Sequence, residues 1–234
     1  IVNNTAKVVP AVGIGIHNLS DSRYPGLSGN VILPDSITYN GVKKAVTAID
    51  DLSFCSCTSL VTIILPSGLE TIGSYAFYNC SSLTSISIPN TVTMVDTYAF
   101  EGCQSMSSVT LSNAVNTWGA GVFQGCSSIS SCVVPEGITQ IGLGMFCDCH
   151  QLENVSLPST LISIGQAAFE NCFEMSNISL PNSLETIQPY AFVNCTTLTS
   201  ILIPASVISI ASTAFSGCIS LSTIQVSPEN TTYD

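Results

Sequence analysis

Cationic side chains are nearly missing from this sequence. Its 234 residues contain four Lys and Arg, and none of them lies beyond residue 44. Of its 15 Asp and Glu, all but Asp21 and Asp35 follow residue 44, so the stretch from 45 to 234 is strongly negative. Nucleic-acid binding needs clustered Lys and Arg that displace counterions from phosphates, and anionic membrane surfaces attract basic segments. The composition therefore argues against nucleic acid and anionic membranes as partners.

Membrane-spanning and catalytic signatures are missing as well. No apolar run reaches the roughly 18 residues of a membrane span, so we expect no transmembrane segment. The only histidines are His17 and His150, and there is no Walker motif or His-Glu-x-x-His. A hydrolase needs a nucleophile, a base and an orienting acid in one place, so we expect no enzyme, no catalytic residue and no cofactor. The chain starts at Ile1 without Met or a signal sequence, which indicates a mature or trimmed polypeptide.

What the sequence does contain is a strict 23-residue repeat. Eight phenylalanines and eight cysteines follow this step, at Phe54, Phe77, Phe100, Phe123, Phe146, Phe169, Phe192 and Phe215, and at Cys57, Cys80, Cys103, Cys126, Cys149, Cys172, Cys195 and Cys218. A fixed period of this length is typical of solenoids, in which each repeat packs only on its neighbours. The sequence therefore predicts about eight stacked coils.

Each coil has the same internal order. Leu83, Ile86 and Ile88 end in an alternation of period two, which predicts a short strand with one buried face, and Pro89 ends it because proline cannot donate to a ladder. The apolar pair of Val92 and Val95 predicts a second short strand or an extended turn. Ala-Phe should then form one helical or 3₁₀ turn. An Asn or Gly just before six of the eight repeat cysteines permits a left-handed residue, at Asn79, Gly102, Gly125, Asn171, Asn194 and Gly217.

The spacing of the cysteines does not indicate a disulfide framework. Equivalent residues of stacked coils lie about 4.8 Å apart with parallel Cβ vectors, whereas a disulfide needs converging Cβ atoms about 3.8 Å apart. We therefore predict a ladder of buried free thiols, in which cysteine acts as a small hydrophobe. Cys55 and Cys147 fall outside the ladder and are expected to point outward.

Both ends of the repeat array are irregular. Val31 to Pro34 repeats the strand and its proline, but the interval from Pro34 to Pro66 is longer than one repeat. The inserted residues carry Asn40-Gly41, a strong hairpin signal. We expect three regions: an N-terminal cap with a β-hairpin over 1–45, a solenoid of about eight coils over 46–226, and an open C-terminal end over 227–234, beyond which the native chain is expected to continue.

The pattern Leu-x-x-Ile-x-Ile-Pro, followed by Val-x-x-Ile-Gly-x-x-Ala-Phe-x-x-Cys, resembles the BspA-like leucine-rich repeats over residues 31 to 226. The strand part stands at Leu83 to Pro89 and Leu152 to Pro158, and the turn part at Ala76-Phe77 and Ala168-Phe169. The resemblance implies an α/β fold, a horseshoe-like right-handed superhelix with a parallel β-sheet on its concave side and short helical or 3₁₀ turns on its convex side. It also implies a protein that is secreted or held at the cell surface. Such proteins are common in anaerobic bacteria and occur in some parasitic protozoa, and some members are adhesins.

Leucine-rich repeats usually bind through exposed strand positions on the concave side. Here the candidate positions are uncharged and mostly hydroxylated, at Ser85, Ser87, Ser108, Thr110, Ser131, Asn154, Ser156, Asn177, Ser179 and Ser200. They make either a wide adhesive or glycan-contacting surface or simply the solvated side of parallel strands, which Ser and Thr suit. Trp, Tyr and Arg, the residues favoured at tight interfaces, are missing from these positions.

Two smaller clusters carry reactive or aromatic groups. Cys147-Asp148-Cys149-His150 has ligand chemistry, but Cys149 should point inward and Cys147 outward, so we expect no metal site. A Cys147 and His150 pair with a depressed thiol pKa is the alternative. Tyr75, Tyr98 and Tyr190 share one coil position and make either an aromatic patch or a partly buried ladder.

The sequence as a whole favours a non-enzymatic extracellular or cell-surface protein that mediates adhesion or recognition of protein or glycan partners. The alternative is a structural spacer that holds other domains away from a cell surface. The identity of a partner does not follow from the residues.

Overall fold

The computed structural model describes residues 27–39 and 42–233, which form a β-solenoid. Within these ranges no helix is long and apolar enough to cross a membrane. The strands in chain order are β1 Ser28–Ile32, β2 Ser36–Tyr39, β3 Val42–Ala45, β4 Ala48–Ile49, β5 Ser59–Ile64, β6 Thr71–Ile72, β7 Ser85–Ser87, β8 Met94–Val95, β9 Ser108–Thr110, β10 Thr117–Trp118, β11 Ser131–Val133, β12 Gln140–Ile141, β13 Asn154–Ser156, β14 Ser163–Ile164, β15 Thr186–Ile187, β16 Ser200–Ile203, β17 Ser209–Ile210 and β18 Thr223–Val226.

The strands fall into two parallel columns. The first strands, which precede the proline of each coil, pair as β1-β5-β7-β9, β11-β13 and β16-β18. The second strands pair as β4-β6-β8-β10 and β12-β14-β15-β17. Partners in the regular coils lie one repeat apart, for example Ile86 with Val109 and Ile164 with Ile187. The stacked coils and the second strand of each repeat are therefore confirmed.

A third side of each coil carries the phenylalanine and the cysteine. We call this side the turn edge; in one coil it runs from Gly73 to Cys80, and in the others it covers the equivalent residues. The phenylalanines from Phe54 to Phe192 are fully buried in every coil, with ring centroids 5.0–5.7 Å apart and planes within 13° of parallel. Offset stacks at this spacing are favourable beyond the area that they bury.

The cysteines of the turn edge do more than fill space. Each thiol donates to the main-chain carbonyl of the phenylalanine in the preceding coil, from Cys80 to Phe54 through Cys218 to Phe192, with S···O distances of 3.0–3.3 Å. None of the eleven cysteines forms a disulfide. Two expectations were wrong: Cys55 and Cys147 are buried, at 2% and 8% exposure, because the turn folds their side chains against the coil.

The helical or 3₁₀ turn expected at Ala-Phe is not present among residues 27–39 and 42–233. Hydrogen-bonded turns occupy the position, because alternate amides have different partners. The amides of Ala76, Tyr78 and Cys80 donate three residues back, while those of Tyr75, Phe77 and Asn79 donate to Thr97, Ala99 and Glu101 of the next coil. Tyr75 and Asn79 are left-handed, each with φ 54°, and such residues do not continue a helix. The predicted left-handed residues ahead of each cysteine are confirmed.

Hydrogen bonds between coils have opposite senses on two sides of the solenoid. On the turn edge the amides point forward to the following coil, as in Phe100 to Val122 and Phe146 to Ala168. Beside the second strands they point backward, as in Gly73 to Ile49 and Gly165 to Ile141. Every regular coil thus holds both neighbours through its main chain.

The ends follow the same geometry with local changes. β2 and β3 form the expected antiparallel hairpin, with Tyr39 opposite Val42, and β1 rejoins β5 with Ile32 opposite Ile64. At the other end Asn230 takes the inward position that Val207 holds one coil earlier. Its buried amide donates to the carbonyls of Pro204 and Val207 at 2.8 and 3.0 Å, so these carbonyls are satisfied.

Candidate binding surface

The strand face is the outward side of the first strands, together with the equivalent segment 177–179. Nine of its ten predicted residues are exposed, and Ser85 is half-buried. The structure aligns them across the coils, since Ser85 lies opposite Ser108 and Ser131 opposite Asn154. Residues 177–179 were expected to form a strand but do not: Ile178 is still inward and its neighbours outward, while the ladder bonds are missing. The predicted residues therefore do share one accessible face.

Apolar side chains interrupt this polar face in one column. Ile64, Val133 and Leu202 are 58%, 70% and 54% exposed, at the position that Ser87, Thr110 or Ser156 holds in other coils. The ten candidate residues do not include them, although their outward register is readable from the repeat. A face of hydroxyl groups with spaced aliphatic side chains offers both polar and apolar contacts to a partner.

Both strand columns break between the same two coils. β9 does not pair with β11 and β10 does not pair with β12, whereas the turn edge continues through bonds from Gly121 to Leu143 and from Phe123 to Met145. Trp118 explains the break. It takes the position where Ile72, Val95, Ile141 and Ile164 are fully buried, but its indole is too large for that column and stays half-buried. The two coils are thus joined by hydrogen bonds along the turn edge and are not paired along either column of strands.

A cleft opens on the strand face at this break. Its volume is about 560 Å³, and it is lined by Ser108, Thr110, Asn113, Ser131 and Val133 together with neighbouring residues. A second cleft of about 430 Å³ opens beside the second strands, next to Trp118. Both volumes lie in the range of ordinary ligand pockets, about 300–1,000 Å³. Ser112 and Trp118 depart from the repeat in this coil, but nothing in the sequence indicates a cavity.

The cluster around Cys147 does not form a reactive site. Burial and the nearby carboxylate of Asp148 raise the pKa of Cys147 to about 12, so its thiol is protonated at neutral pH rather than activated. The ring of His150 stacks on Phe173 at 4.8 Å, and its Nε2 lies 3.9 Å from Asp148. Across the described ranges no three His, Cys, Asp or Glu side chains come together as metal ligands.

The tyrosines of the turn edge form a short stack. Tyr75 and Tyr98 have ring centroids 5.3 Å apart and are both half-buried, and the ring of Tyr98 covers Gly121 of the next coil. Burial raises the pKa of Tyr75, and the neighbouring Tyr98 adds to the shift. Tyr190 lies four coils beyond Tyr98 and is exposed. The first two tyrosines therefore match the ladder interpretation.

Comparison with known proteins identifies the repeat. The sequence model of the BspA type leucine-rich repeat region matches residues 33–151 and 119–234 in six copies. No curated protein matches the sequence significantly.

Several solved bacterial structures share the fold. A leucine rich cell surface protein of Faecalibacterium prausnitzii is 21% identical, with a TM-score of 0.58 over 86% of this chain and 88% of that one. A leucine-rich repeat protein of Eubacterium ventriosum is 18% identical, with a TM-score of 0.52 over 81% and 89%. The T. pallidum leucine rich repeat protein is 26% identical, with a TM-score of 0.50 over 63% and 78%.

Proposed function

The chain belongs to the BspA type leucine-rich repeat family, and we propose that it is a non-enzymatic recognition protein that binds a protein or glycan partner through its strand face. In this proposal the protein works outside the cell or at its surface. A cell-surface protein among the similar structures supports that location. The same proposal places the strand face on the concave side of a horseshoe-like right-handed superhelix.

The observation that carries the proposal is the cleft on the strand face. It interrupts a face on which Ser108, Thr110 and Ser131 expose hydroxyl groups, and Val133 stands at its rim with 70% of its surface exposed. Ligand sites combine apolar side chains with a few convergent polar groups, and this cleft contains both kinds. No charged side chain lines the cleft, so its ligand is recognised by shape, hydrogen bonds and apolar contact.

The test is saturable attachment with localised substitutions. Purified protein is titrated over arrays of extracellular matrix proteins and of glycans, alongside Val133→Glu and the matched control Gln166→Glu on the exposed turn edge. We expect binding that saturates, a loss of about tenfold or more for Val133→Glu, which places a desolvated charge at the contact, and no change for Gln166→Glu. Equal binding by all three proteins would reject the strand face.

The same experiment distinguishes a structural spacer. A spacer acts through its length, so neither substitution would alter its function, while deletion of one whole coil would. A recognition protein should respond in the opposite way. Val133→Glu should weaken attachment, whereas deletion of a coil far from the cleft, such as residues 186–208, should leave attachment largely intact.

A further inference from the structure

The cleft beside the second strands is a separate feature from the strand face. It lies between the coil of β10 and the coil of β12 and is lined by Asn116, Thr117, Trp118, Thr139 and Gln140, with Val115, Gly137, Ile138 and Gly142 completing it. None of the residues of the strand-face cleft contributes to it. Its existence follows from the parting of the two coils around Trp118.

Some main-chain amides and carbonyls in this cleft lack the hydrogen bonds that the equivalent groups form between neighbouring coils elsewhere. Elsewhere the glycine after a second strand donates to the coil before it, as Gly119 does to Val95 and Gly165 to Ile141, both at 2.8 Å. The equivalent bond from Gly142 to Trp118 is not formed, nor is one from Thr139 to Asn116. One wall therefore presents amide donors and the other presents carbonyl acceptors.

The side chains add the same mixed character. Asn116 and Gln140 each carry one donor and one acceptor group, Thr117 and Thr139 carry hydroxyls, and all four are exposed. The half-buried indole of Trp118 supplies a flat apolar surface. No Lys, Arg, Asp, Glu or His lines the cleft. A ligand that fits must be uncharged, must both donate and accept hydrogen bonds, and must have an apolar face.

We propose that this cleft binds one or two neutral sugar rings. A pyranose has hydroxyl groups that donate and accept, and C–H groups that make one of its faces apolar enough to lie against an indole. An anionic sugar is disfavoured because the cleft has no cation and the protein carries a formal net charge of -11. A cationic ligand finds no acid there. The site is independent of the proposed recognition by the strand face.

The test uses the fact that this protein contains one tryptophan. Fluorescence excited selectively at tryptophan therefore reports on Trp118 alone. The protein is titrated with N-acetylglucosamine, galactose, glucose and maltose, and separately with N-acetylneuraminic acid, choline and benzyl alcohol as anionic, cationic and apolar probes. We expect a saturable change in emission with at least one neutral sugar, with a dissociation constant on the order of 1 mM, and no saturable change with the other three probes.

Variants separate this site from the strand face. Gln140→Ala and Asn116→Ala should weaken the sugar response about tenfold each, whereas Gln166→Ala and Val133→Glu should leave it unchanged. A response to benzyl alcohol or choline without one to a neutral sugar would overturn the proposal, as would no response to any probe or full sugar binding by Gln140→Ala. Loss of attachment in Val133→Glu with the sugar response intact would support both proposals, whereas intact attachment with an intact sugar response would reject only the strand face.

Discussion

The turn edge and the second-strand side run along the same coils, yet only the turn edge is continuous. On the turn edge each coil from that of Phe54 to that of Phe169 gives the next coil three main-chain bonds, and one thiol bond and one ring stack join the same pair of coils. This set is repeated past Trp118. On the second-strand side the contact is a ladder two residues long, and it stops between β10 and β12. The comparison shows that redundant contacts hold the array together where a short ladder fails.

The difference also explains where variation is tolerated. Loss of pairing beside Trp118 costs a few hydrogen bonds, each with a net value of about 1 kcal/mol, because the adjacent turn edge still fixes the coil spacing. A similar gap in the phenylalanine column would remove the buried packing, the ring stacking and the main-chain hydrogen bonds of the turn edge together. The two clefts accordingly open on the strand sides, where the coils can part.

Alkaline pH should damage the turn edge most. Burial raises the pKa of Cys103, Cys149 and Cys172 well above the ordinary value of 9.0 and raises that of Cys80 as well. The folded state then keeps protons that the unfolded chain releases above pH 9, so stability is complete below pH 9 and falls as pH rises. At about 1.4 kcal/mol per thiol per pH unit, these four lower the free energy of unfolding by about 6 kcal/mol at pH 10. Urea unfolding at pH 8, 9 and 10 under reducing conditions measures this fall in the free energy of unfolding.

The control for this prediction is Cys103→Ala. Removing one buried thiol should make the protein less stable at pH 8 but should reduce the fall per pH unit by about 1.4 kcal/mol. An unchanged slope would show that the thiols are not the source of the alkaline effect.

Truncation in the phenylalanine column is the next largest effect. Phe146 is fully buried between Phe123 and Phe169, with centroids 5.7 Å from each, so Phe146→Ala should cost about 3–5 kcal/mol. Because each coil contacts only its neighbours, the two halves are expected to unfold in separate steps. Ser156→Ala on the strand face is the control and should stay within about 0.5 kcal/mol. Equal small losses, measured by circular dichroism in denaturant, would contradict the assignment of Phe146 to the core.

Substitution of Asn230 tests how much its hydrogen bonds to the carbonyls of Pro204 and Val207 stabilise the last coil. Asn230→Leu restores the apolar residue type of that column but removes both bonds to Pro204 and Val207 and the acceptor for Thr232 and Tyr233. We expect a loss of about 1–3 kcal/mol in the free energy of unfolding. Asn182→Leu, at an exposed position, should change it by about 0.5 kcal/mol or less. A neutral Asn230→Leu would mean that packing outweighs these bonds.

Trp118→Val should have the smallest effect and the opposite sign. The indole Nε1 is buried without a hydrogen-bond partner, and a valine fits the column that Val95 and Ile141 occupy. The two second strands should then pair, with a net gain of about 1 kcal/mol. Slower hydrogen exchange at the Gly142 amide is the direct measurement. Unchanged exchange at Gly142 would show that the indole does not cause the break.

The sequence repeat predicts which residues of the turn edge are buried or left-handed, but it does not predict the bonds that join the coils. The repeat period predicts the inward positions of Leu83 and Phe100, and Asn or Gly ahead of cysteine predicts the left-handed residues, since these types tolerate positive φ. The thiol bonds are not predictable, because each depends on a carbonyl in the preceding coil, as in the bond from Cys80 to Phe54.

The predicted helical turn was wrong for a local reason. Ala-Phe favours a helical turn, but Tyr75 adopts a positive φ that its residue type disfavours, and the bonds to the next coil compensate for it. The candidate surface was predicted as ten aligned positions, yet its clefts arise where Trp118 parts two coils, a packing effect that no motif encodes.

The opposed senses of the main-chain bonds have an electrostatic consequence. In an α-helix all peptide dipoles point the same way and sum to about half a charge at each end. In this solenoid the amides of the turn edge point toward the following coil, and those beside the second strands point toward the preceding one. The two sets of dipoles oppose each other along the axis. The array can therefore gain coils without building up a macrodipole at either end.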